Sequence, residues 1–230
     1  LGKEHLKEPH RFQQLLAALA YAPNTRAELS LFELAEGDPR FYKDYYWLNA
    51  VVLRDTDSSV TRILDLVRSG KVAGNQQGLL SVSIPDLVAH HPVVYHNLLQ
   101  CYSQLSTTAK SRIKLLIAEI ANEEGLLVLV QSYGEDGLKF DWVLEKMINE
   151  IAVGKKTLQH VYEYYSVDVS DLRKKLFAIV NEAGAAANVA ALCLELIDEL
   201  SDEYGSVDTA PRHPDIESGR PWPLVSQGVS

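Results

Sequence analysis

Three histidines stand close together in the stretch SIPDLVAHHPVVYHNLL, at His90, His91 and His96, and Asp86 lies just upstream. Imidazole and carboxylate groups can ligate a metal ion or transfer protons in catalysis. His91 and His96 are five residues apart, so they do not share a helix face as ligands four apart would. Asp86 and His90 can share a face, but a metal site needs three or four ligands and the sequence indicates no others. The pattern therefore favours a corner between two helices.

Other signatures of catalysis are missing from the sequence. The chain has no GxGxxG or Walker-type loop, no HExxH motif and no GxSxG elbow. Cys101 and Cys193 both stand in apolar helical patterns, where a thiol behaves as a small hydrophobic group. We therefore predict a protein that is not an enzyme and that uses no cofactor or metal. An enzyme with its site near the histidine cluster is the minor alternative.

The elements that carry these residues are predicted to be helices almost throughout. Apolar residues recur at helical spacing in VTRILDLVRSG, where Gly70 is the expected end, and the run GLLVLVQSYG is interpreted as a buried helix ended at Gly134. That run could be a strand, but it has no second strand with which to pair. Further helices are predicted in RFQQLLAALAYA, FYKDYYWLNAVVL, TTAKSRIKLLIAEIANEEG, FDWVLEKMINEIAVG, KKTLQHVYEYYS, SDLRKKLFAIVNEAG and NVAALCLELIDELSDEYG.

The predicted fold class is all-α, with about ten helices joined by short connections. Because no repeat of fixed period is found, an irregular HEAT-like or MIF4G-like α-solenoid, or a bundle, fits better than a strict repeat array. We predict one helical domain over residues 1–204, with a possible sub-boundary near residues 54–58. Residues 205–230 hold four of the nine prolines and form a proline-rich extended tail in this prediction.

Charge and apolar patterning restrict the partners and the compartment. The formal net charge is -9 at pH 7, which disfavours nucleic-acid binding because phosphate contacts supply much of that affinity. No apolar run reaches the roughly 20 residues that span a bilayer, and no disulfide framework is evident. These features predict an intracellular protein that is cytoplasmic, with the nucleus as an additional alternative, and that binds other protein subunits and not a membrane.

Three segments resemble a known family. IPDLVAHHPVVYHNLL, VLEKMINEIAVGKKTLQHVYEYYS and VAALCLELIDELSDEYG are similar to blocks of the C-terminal helical domain in subunit eleven of the NOT deadenylase complex, which shortens mRNA poly(A) tails. The resemblance covers about residues 58–205. It implies a non-catalytic scaffold subunit whose MIF4G-like helical domain docks against a helical-repeat neighbour and offers a surface to other partners.

Aromatic residues are the predicted partner-binding side chains, since Tyr and Trp bury a large area at low entropic cost. They occur in two tyrosine-rich runs and in the tail. The candidates are Tyr45, Tyr46, Trp47, Tyr162, Tyr164, Tyr165 and Trp222. Core packing is the alternative for the residues in the two runs, and a clasp on the chain's own groove is the alternative for Trp222.

A regulatory nucleic-acid-binding protein is the competing prediction. Local basic patches can act in an acidic chain. The residues concerned are Lys110, Arg112, Lys114, Arg173, Lys174 and Lys175. The two functions differ in salt dependence, because phosphate binding weakens steeply with added salt and a mostly apolar protein interface does not.

Overall fold

The computed structural model describes residues 9–72, 84–152 and 167–204, and all regular elements in these ranges are helical. The predicted all-α fold class is therefore confirmed. Two short 3-10 segments, Pro39–Lys43 and Tyr102–Gln104, lie between helices. The eleven α-helices of the described ranges are α1 Pro9–Tyr21, α2 Thr25–Gly37, α3 Tyr45–Val52, α4 Asp57–Ser69, α5 Ile84–Ala89, α6 Pro92–Gln100, α7 Thr107–Ile120, α8 Glu123–Glu135, α9 Trp142–Ala152, α10 Val169–Asn181 and α11 Ala187–Tyr204.

Polar residues that accept backbone N–H bonds determine where several helices begin. The Ser106 hydroxyl accepts from the Ala109 N–H at 3.3 Å and starts α7, as expected for a serine directly before a helix. The Asp44 carboxylate accepts from the Trp47 N–H at 2.8 Å and starts α3. The segment 41–53, predicted as one helix, is therefore divided into a 3-10 turn and a shorter α-helix.

Gly70 ends α4 in the left-handed conformation, with a φ of 74°, as expected for a glycine stop. The run GLLVLVQSYG lies in α8 and is helical, so its interpretation as a helix is confirmed. The helix extends one residue past Gly134 to Glu135. Trp142, predicted to point inward from FDWVLEKMINEIAVG, is 61% exposed because it is the first residue of α9 and precedes the buried face.

Most consecutive helices of the described ranges contact each other around one core. α1 contacts α2 and α3, α4 contacts α7, and α7 contacts α5, α8 and α9. At the far end α11 packs against α8, α9 and α10. Buried apolar side chains from Leu16 to Leu200 belong to one hydrophobic cluster, so the described helices share a core.

Several predictions fall outside the described residues. They concern the loop VAGNQQG, the helix in KKTLQHVYEYYS and the proline-rich tail over residues 205–230. The candidate partner-binding residues in those segments are Tyr162, Tyr164, Tyr165 and Trp222.

Candidate functional site

The turn between α3 and α4 contacts several other parts of the fold, and it contains the predicted sub-boundary near residues 54–58. The Arg54 guanidinium donates to backbone carbonyls at the end of α1 and just after it. Thr56 caps α4 by accepting from the Ser59 N–H at 3.1 Å. The Thr56 hydroxyl also donates to the buried Glu28 carboxylate at 2.8 Å. These contacts hold the turn against α1 and α2.

The same turn meets the histidine corner between α5 and α6. The Oδ1 atom of Asp55 lies 2.9 Å from His90 Nδ1 and 2.9 Å from His91 Nε2. The other ring nitrogen of His91, Nδ1, lies 2.5 Å from Asp57 Oδ1. Both nitrogens of His91 therefore face a carboxylate, and one carboxylate oxygen serves both histidines. We call Asp55, Asp57, His90 and His91 the corner cluster.

Local backbone structure positions each member of the corner cluster. Asp55 has a φ of 46°, a left-handed conformation that Asp tolerates better than most residues. Asp57 is the first residue of α4, and His91 is the N-cap of α6, directly before Pro92. His90 follows the last residue of α5, and its N–H donates to the Asp86 carbonyl at 3.0 Å. Four helix ends therefore meet at this cluster.

The electrostatics of the corner cluster are dominated by the shared oxygen. Partial burial acts to raise the pKa of Asp55, but the hydrogen bonds with His90 and His91 outweigh it and lower the pKa below its usual range. The His91 side chain is only 12% exposed, while that of Asp57 is 73% exposed. The cluster therefore combines an ionised, shared carboxylate with one largely covered imidazole.

The structure separates the residues that the sequence placed together. The Nδ1 atom of His96 lies 2.6 Å from Glu124 Oε1 on α8, and its Nε2 lies 2.7 Å from Gln100 Nε2. His96 is thus part of a different contact, between α6 and α8. The corner prediction for His90 and His91 holds, since they lie between two helices. The sequence missed Asp55 and Asp57 because they are more than thirty residues away along the chain.

The aromatic run on α3 divides between surface and core. Tyr45 and Tyr46 are exposed at the start of the helix, with ring centroids 5.2 Å apart in an edge-to-face arrangement. Trp47 is fully buried, and its indole N–H donates to the Leu31 carbonyl at 2.6 Å. Trp47 is therefore a core residue, and its prediction as a partner-binding residue is wrong. Trp47 packs in the core because its position on α3 directs its side chain towards α2.

A groove between α8 and α10 has an apolar floor and a charged rim. Its volume is about 460 Å³. Leu127, Val128 and Ile179 are half-buried and form its floor, whereas Gln131, Lys175 and Glu182 are exposed at its rim. The lining residues are Glu124, Leu127, Val128, Gln131, Lys175, Ala178, Ile179 and Glu182. We call this the α8/α10 groove, and sequence reasoning missed it because each helix alone looks like an ordinary amphipathic segment.

Ion pairs at the mouth of the groove leave its surroundings acidic. Lys175 forms a short ion pair with Glu123 and a second one with Asp171 at 2.6 Å. Glu124 and Glu182 add two further carboxylates on the rim. The one lysine of the lining is thus already paired, and the groove presents an apolar surface with acidic edges.

Most of the basic residues of the competing prediction are held by intramolecular partners. Ammonium and guanidinium groups on α7 contact acidic side chains or a backbone carbonyl, and two of those on α10 contact carboxylates. The pairs are Lys110 with Asp136 at 2.8 Å, Lys114 with Asp141 at 3.1 Å, Arg112 with the Arg68 carbonyl at 2.8 Å, Arg173 with Asp198 at 2.6 Å and Lys175 with Asp171 at 2.6 Å. These pairings neutralise much of the positive charge that a phosphate backbone would meet.

The two cysteines differ in their exposure to solvent. Cys193 is fully buried among apolar side chains, and burial raises the pKa of its thiol to about 12. Cys101 is exposed at the end of α6.

Within the described residues, no helix combines the length and apolar character that a bilayer crossing requires.

Comparison with known proteins gives one partial match. A family model described as "NACHT C-terminal Alpha/Beta 2" matches residues 144–223, about a third of the chain. In the described part of that span, the regular structure is the rest of α9 together with α10 and α11. No curated protein and no solved structure matches the chain.

Proposed function

We propose that this protein is a non-catalytic interaction scaffold that binds a partner protein in the α8/α10 groove. The observation that carries the proposal is the composition of the groove, with Leu127, Val128 and Ile179 on its floor and charged groups on its rim. Protein interfaces have the same organisation, an apolar centre that excludes water and a polar edge. The prediction that the chain is not an enzyme stays with this proposal.

The occupant that best fits the groove is an amphipathic helix with basic flanking residues. Two helices of this protein form the walls of the groove. A partner helix binds such a groove by inserting apolar side chains that are three and four residues apart in its sequence. The rim carboxylates of Glu124 and Glu182 favour Lys or Arg at the edges of that helix. The net charge of -9 favours the same choice of partner through long-range attraction.

The exposed pair Tyr45 and Tyr46 supplies a second contact surface in this proposal. The two rings are preorganised by their edge-to-face contact, and Tyr46 is 47% exposed. A rigid aromatic pair buries area with little loss of side-chain freedom. Tyr162, Tyr164, Tyr165 and Trp222 remain predicted partner-binding residues.

Two contexts for such a scaffold follow from similarity. The resemblance over residues 58–205 predicts membership of the mRNA deadenylase complex. The family match over residues 144–223 instead favours a place in the C-terminal part of a NACHT protein. Both spans contain α10, so the groove proposal is compatible with either context.

The experiment compares partner capture by groove variants. Wild-type protein, Leu127→Glu and Ala178→Glu serve as baits in the native lysate at low and moderate salt, with recovered proteins identified by mass spectrometry. Leu192→Glu is the matched control, because Leu192 is an exposed leucine on α11 that does not line the groove. We expect salt-resistant partners that both groove variants lose and the control keeps.

Identified partners are then tested directly. A synthetic helix from the recovered protein should bind wild type and Leu192→Glu alike and bind Ala178→Glu at least about tenfold more weakly, as expected when a charge enters an apolar interface. Recovery of deadenylase subunits would support that context, and recovery of NACHT proteins the other. Partners retained equally by all four baits would overturn the groove assignment, and recovery of salt-sensitive nucleic acid alone would favour the competing function.

A further inference from the structure

The corner cluster has the composition and spacing of a metal-binding site. Asp55, His90 and His91 each offer one ligand atom, and these atoms lie within 4.8 Å of one another. At Zn–N and Zn–O lengths of about 2.0–2.2 Å, ligand atoms in a tetrahedral site stand about 3.3 Å apart. The Asp55 oxygen is 2.9 Å from each nitrogen, so binding of the ion would need a separation larger by a few tenths of an ångström and a turn of both imidazole lone pairs from that oxygen to the metal.

The contact between His91 and Asp57 is an independent observation that points to a metal. Histidines that bind metal through one ring nitrogen generally donate the other N–H to a carboxylate or carbonyl, which fixes the ring orientation and strengthens the ligand. The Asp57 carboxylate lies 2.5 Å from Nδ1 of His91, on the side away from Asp55. The Asp57 contact therefore fixes the His91 ring with Nε2 on the side of Asp55 and His90, where the ion would lie.

We propose that Asp55, His90 and His91 bind one Zn²⁺ ion per chain, with Asp57 orienting His91. Two imidazoles and one carboxylate select a borderline transition metal over Mg²⁺ or Ca²⁺, which prefer oxygen ligands. Three protein ligands leave the fourth position to water. The ion would fasten the turn between α3 and α4 to the corner between α5 and α6, two segments separated by more than thirty residues.

The sequence alone led to a prediction of no metal site. Asp86 and His90 can share a helix face, but no further ligands were evident from the pattern. The structure instead unites His90 with Asp55, whose left-handed conformation directs its carboxylate towards both histidines. The site thus depends on how two helix corners pack, and it is independent of the groove on α8 and α10.

The test titrates tag-free, chelator-treated protein with Zn²⁺ in a calorimeter, and with Co²⁺ as a spectroscopic probe. We expect one equivalent of Zn²⁺ per chain and visible absorption bands of Co²⁺ in low coordination. Asp55→Asn should abolish the stoichiometric binding while tolerating the left-handed backbone as Asp does. Asp57→Asn should weaken the affinity about 10- to 100-fold, as expected for a residue that orients a ligand.

Two controls separate this site from adventitious binding by exposed side chains. His96→Gln removes a histidine outside the corner cluster, and Cys101→Ser removes the exposed thiol, so both should bind Zn²⁺ as wild type does. Circular dichroism checks that each variant is folded. Equal binding by wild type, Asp55→Asn and His91→Gln, or a wild-type Co²⁺ spectrum like that of the aqueous ion, would overturn the proposal. The Co²⁺ result needs no variant, so a misfolded mutant does not leave the proposal undecided.

Discussion

Gly70 lies directly beneath the guanidinium of Arg112, where a Cβ atom on the glycine would stand 2.4 Å from Arg112 Cζ. The same guanidinium donates to the Arg68 carbonyl at 2.8 Å, at the C-terminal end of α4. A cation is favourable there because the helix end carries partial negative charge and unpaired carbonyls. The contact joins α4 to α7, two helices that pack across the middle of the fold.

Gly70→Ala should therefore be destabilising. The left-handed φ of 74° costs a residue with a Cβ about 1–2 kcal/mol, and the added Cβ also displaces the flexible Arg112 guanidinium from the Arg68 carbonyl, at a smaller cost. Urea unfolding measures the difference. In an Arg112→Ala background the clash disappears and only the backbone cost remains, so the alanine should cost less there. An equal cost in both backgrounds would show that Arg112 does not restrict this position.

Gly134→Ala should destabilise the protein by about 1–3 kcal/mol, although alanine is the better helix former. A Cβ at Gly134 would lie 2.4 Å from the Ala186 backbone nitrogen and Cα, which cannot move aside as a flexible side chain can. Gly37→Ala is the matched control, since Gly37 also ends a helix and has no atom within 4 Å of the added Cβ. Thermal unfolding compares the two. Similar melting temperatures for both variants would contradict the close packing of α8 on the segment before α11.

The stability contributed by Asp141 should depend on pH. Its carboxylate accepts from Tyr133 Oη at 2.8 Å, Lys114 Nζ at 3.1 Å and the Val143 N–H at 3.0 Å. Partial burial acts to raise the pKa of Asp141, but these donors outweigh it and lower the pKa. A lowered folded-state pKa means that the stabilisation is complete above the unfolded value of about 3.9 and is lost as the pH falls through the folded value.

Asp141→Asn should consequently lower the free energy of unfolding by about 1–3 kcal/mol at pH 7. The difference in free energy of unfolding between wild type and variant should narrow as the pH falls below about 4, because the wild-type carboxylate is then protonated and loses the same interactions. Urea unfolding at pH 7, 5, 4 and 3 gives the comparison. Asp65→Asn changes an exposed surface pair with Arg68 and should stay within about 0.5 kcal/mol. A difference in free energy of unfolding between wild type and Asp141→Asn that stays unchanged down to pH 3 would contradict the proposed role of the Asp141 carboxylate.

The protein should bind RNA and DNA weakly or not at all at physiological salt. Lys110 and Lys114 are paired with Asp136 and Asp141, and phosphate binding would have to break these contacts. Fluorescence anisotropy with labelled single-stranded RNA, from 50 to 200 mM salt, tests this expectation. Saturable binding that weakens steeply with salt would revive the nucleic-acid function. In that case, weaker RNA binding by Lys174→Ala, a variant at an exposed residue of α10, would show that this helix contributes to the binding.

Local patterns predicted the helices, because apolar spacing, caps and glycine stops are properties of neighbouring residues. Gly70 and Ser106 behave as their types suggest. The corner cluster was beyond such reasoning, since the residues that complete it with His91 come from another helix corner. The α8/α10 groove was likewise out of reach, because it exists only where two helices meet. The spacing of apolar residues in the sequence identifies the apolar face of a helix, but only the tertiary packing determines which residues cover that face.

Tyr46 and Trp47 are adjacent in the sequence, but tertiary packing leaves Tyr46 exposed and buries Trp47. This contrast provides a further prediction. Trp47 contacts Phe32 and Tyr42 edge to face, and its indole N–H donates to the Leu31 carbonyl. Trp47→Phe should lower the free energy of unfolding by about 1–3 kcal/mol, since it removes this buried hydrogen bond and creates a void.

Tyr46→Ala should leave stability nearly unchanged, because the side chain is largely in solvent, but it should weaken capture of a partner that uses the exposed tyrosine pair. Tyr21→Ala is the matched control, since Tyr21 is an exposed tyrosine on α1, outside that pair. Chemical unfolding and partner capture are measured on the same preparations. A Tyr46→Ala protein with wild-type capture would remove the tyrosine pair from the interface. A Trp47→Phe protein as stable as wild type would contradict the role of the indole hydrogen bond in joining α3 to α2.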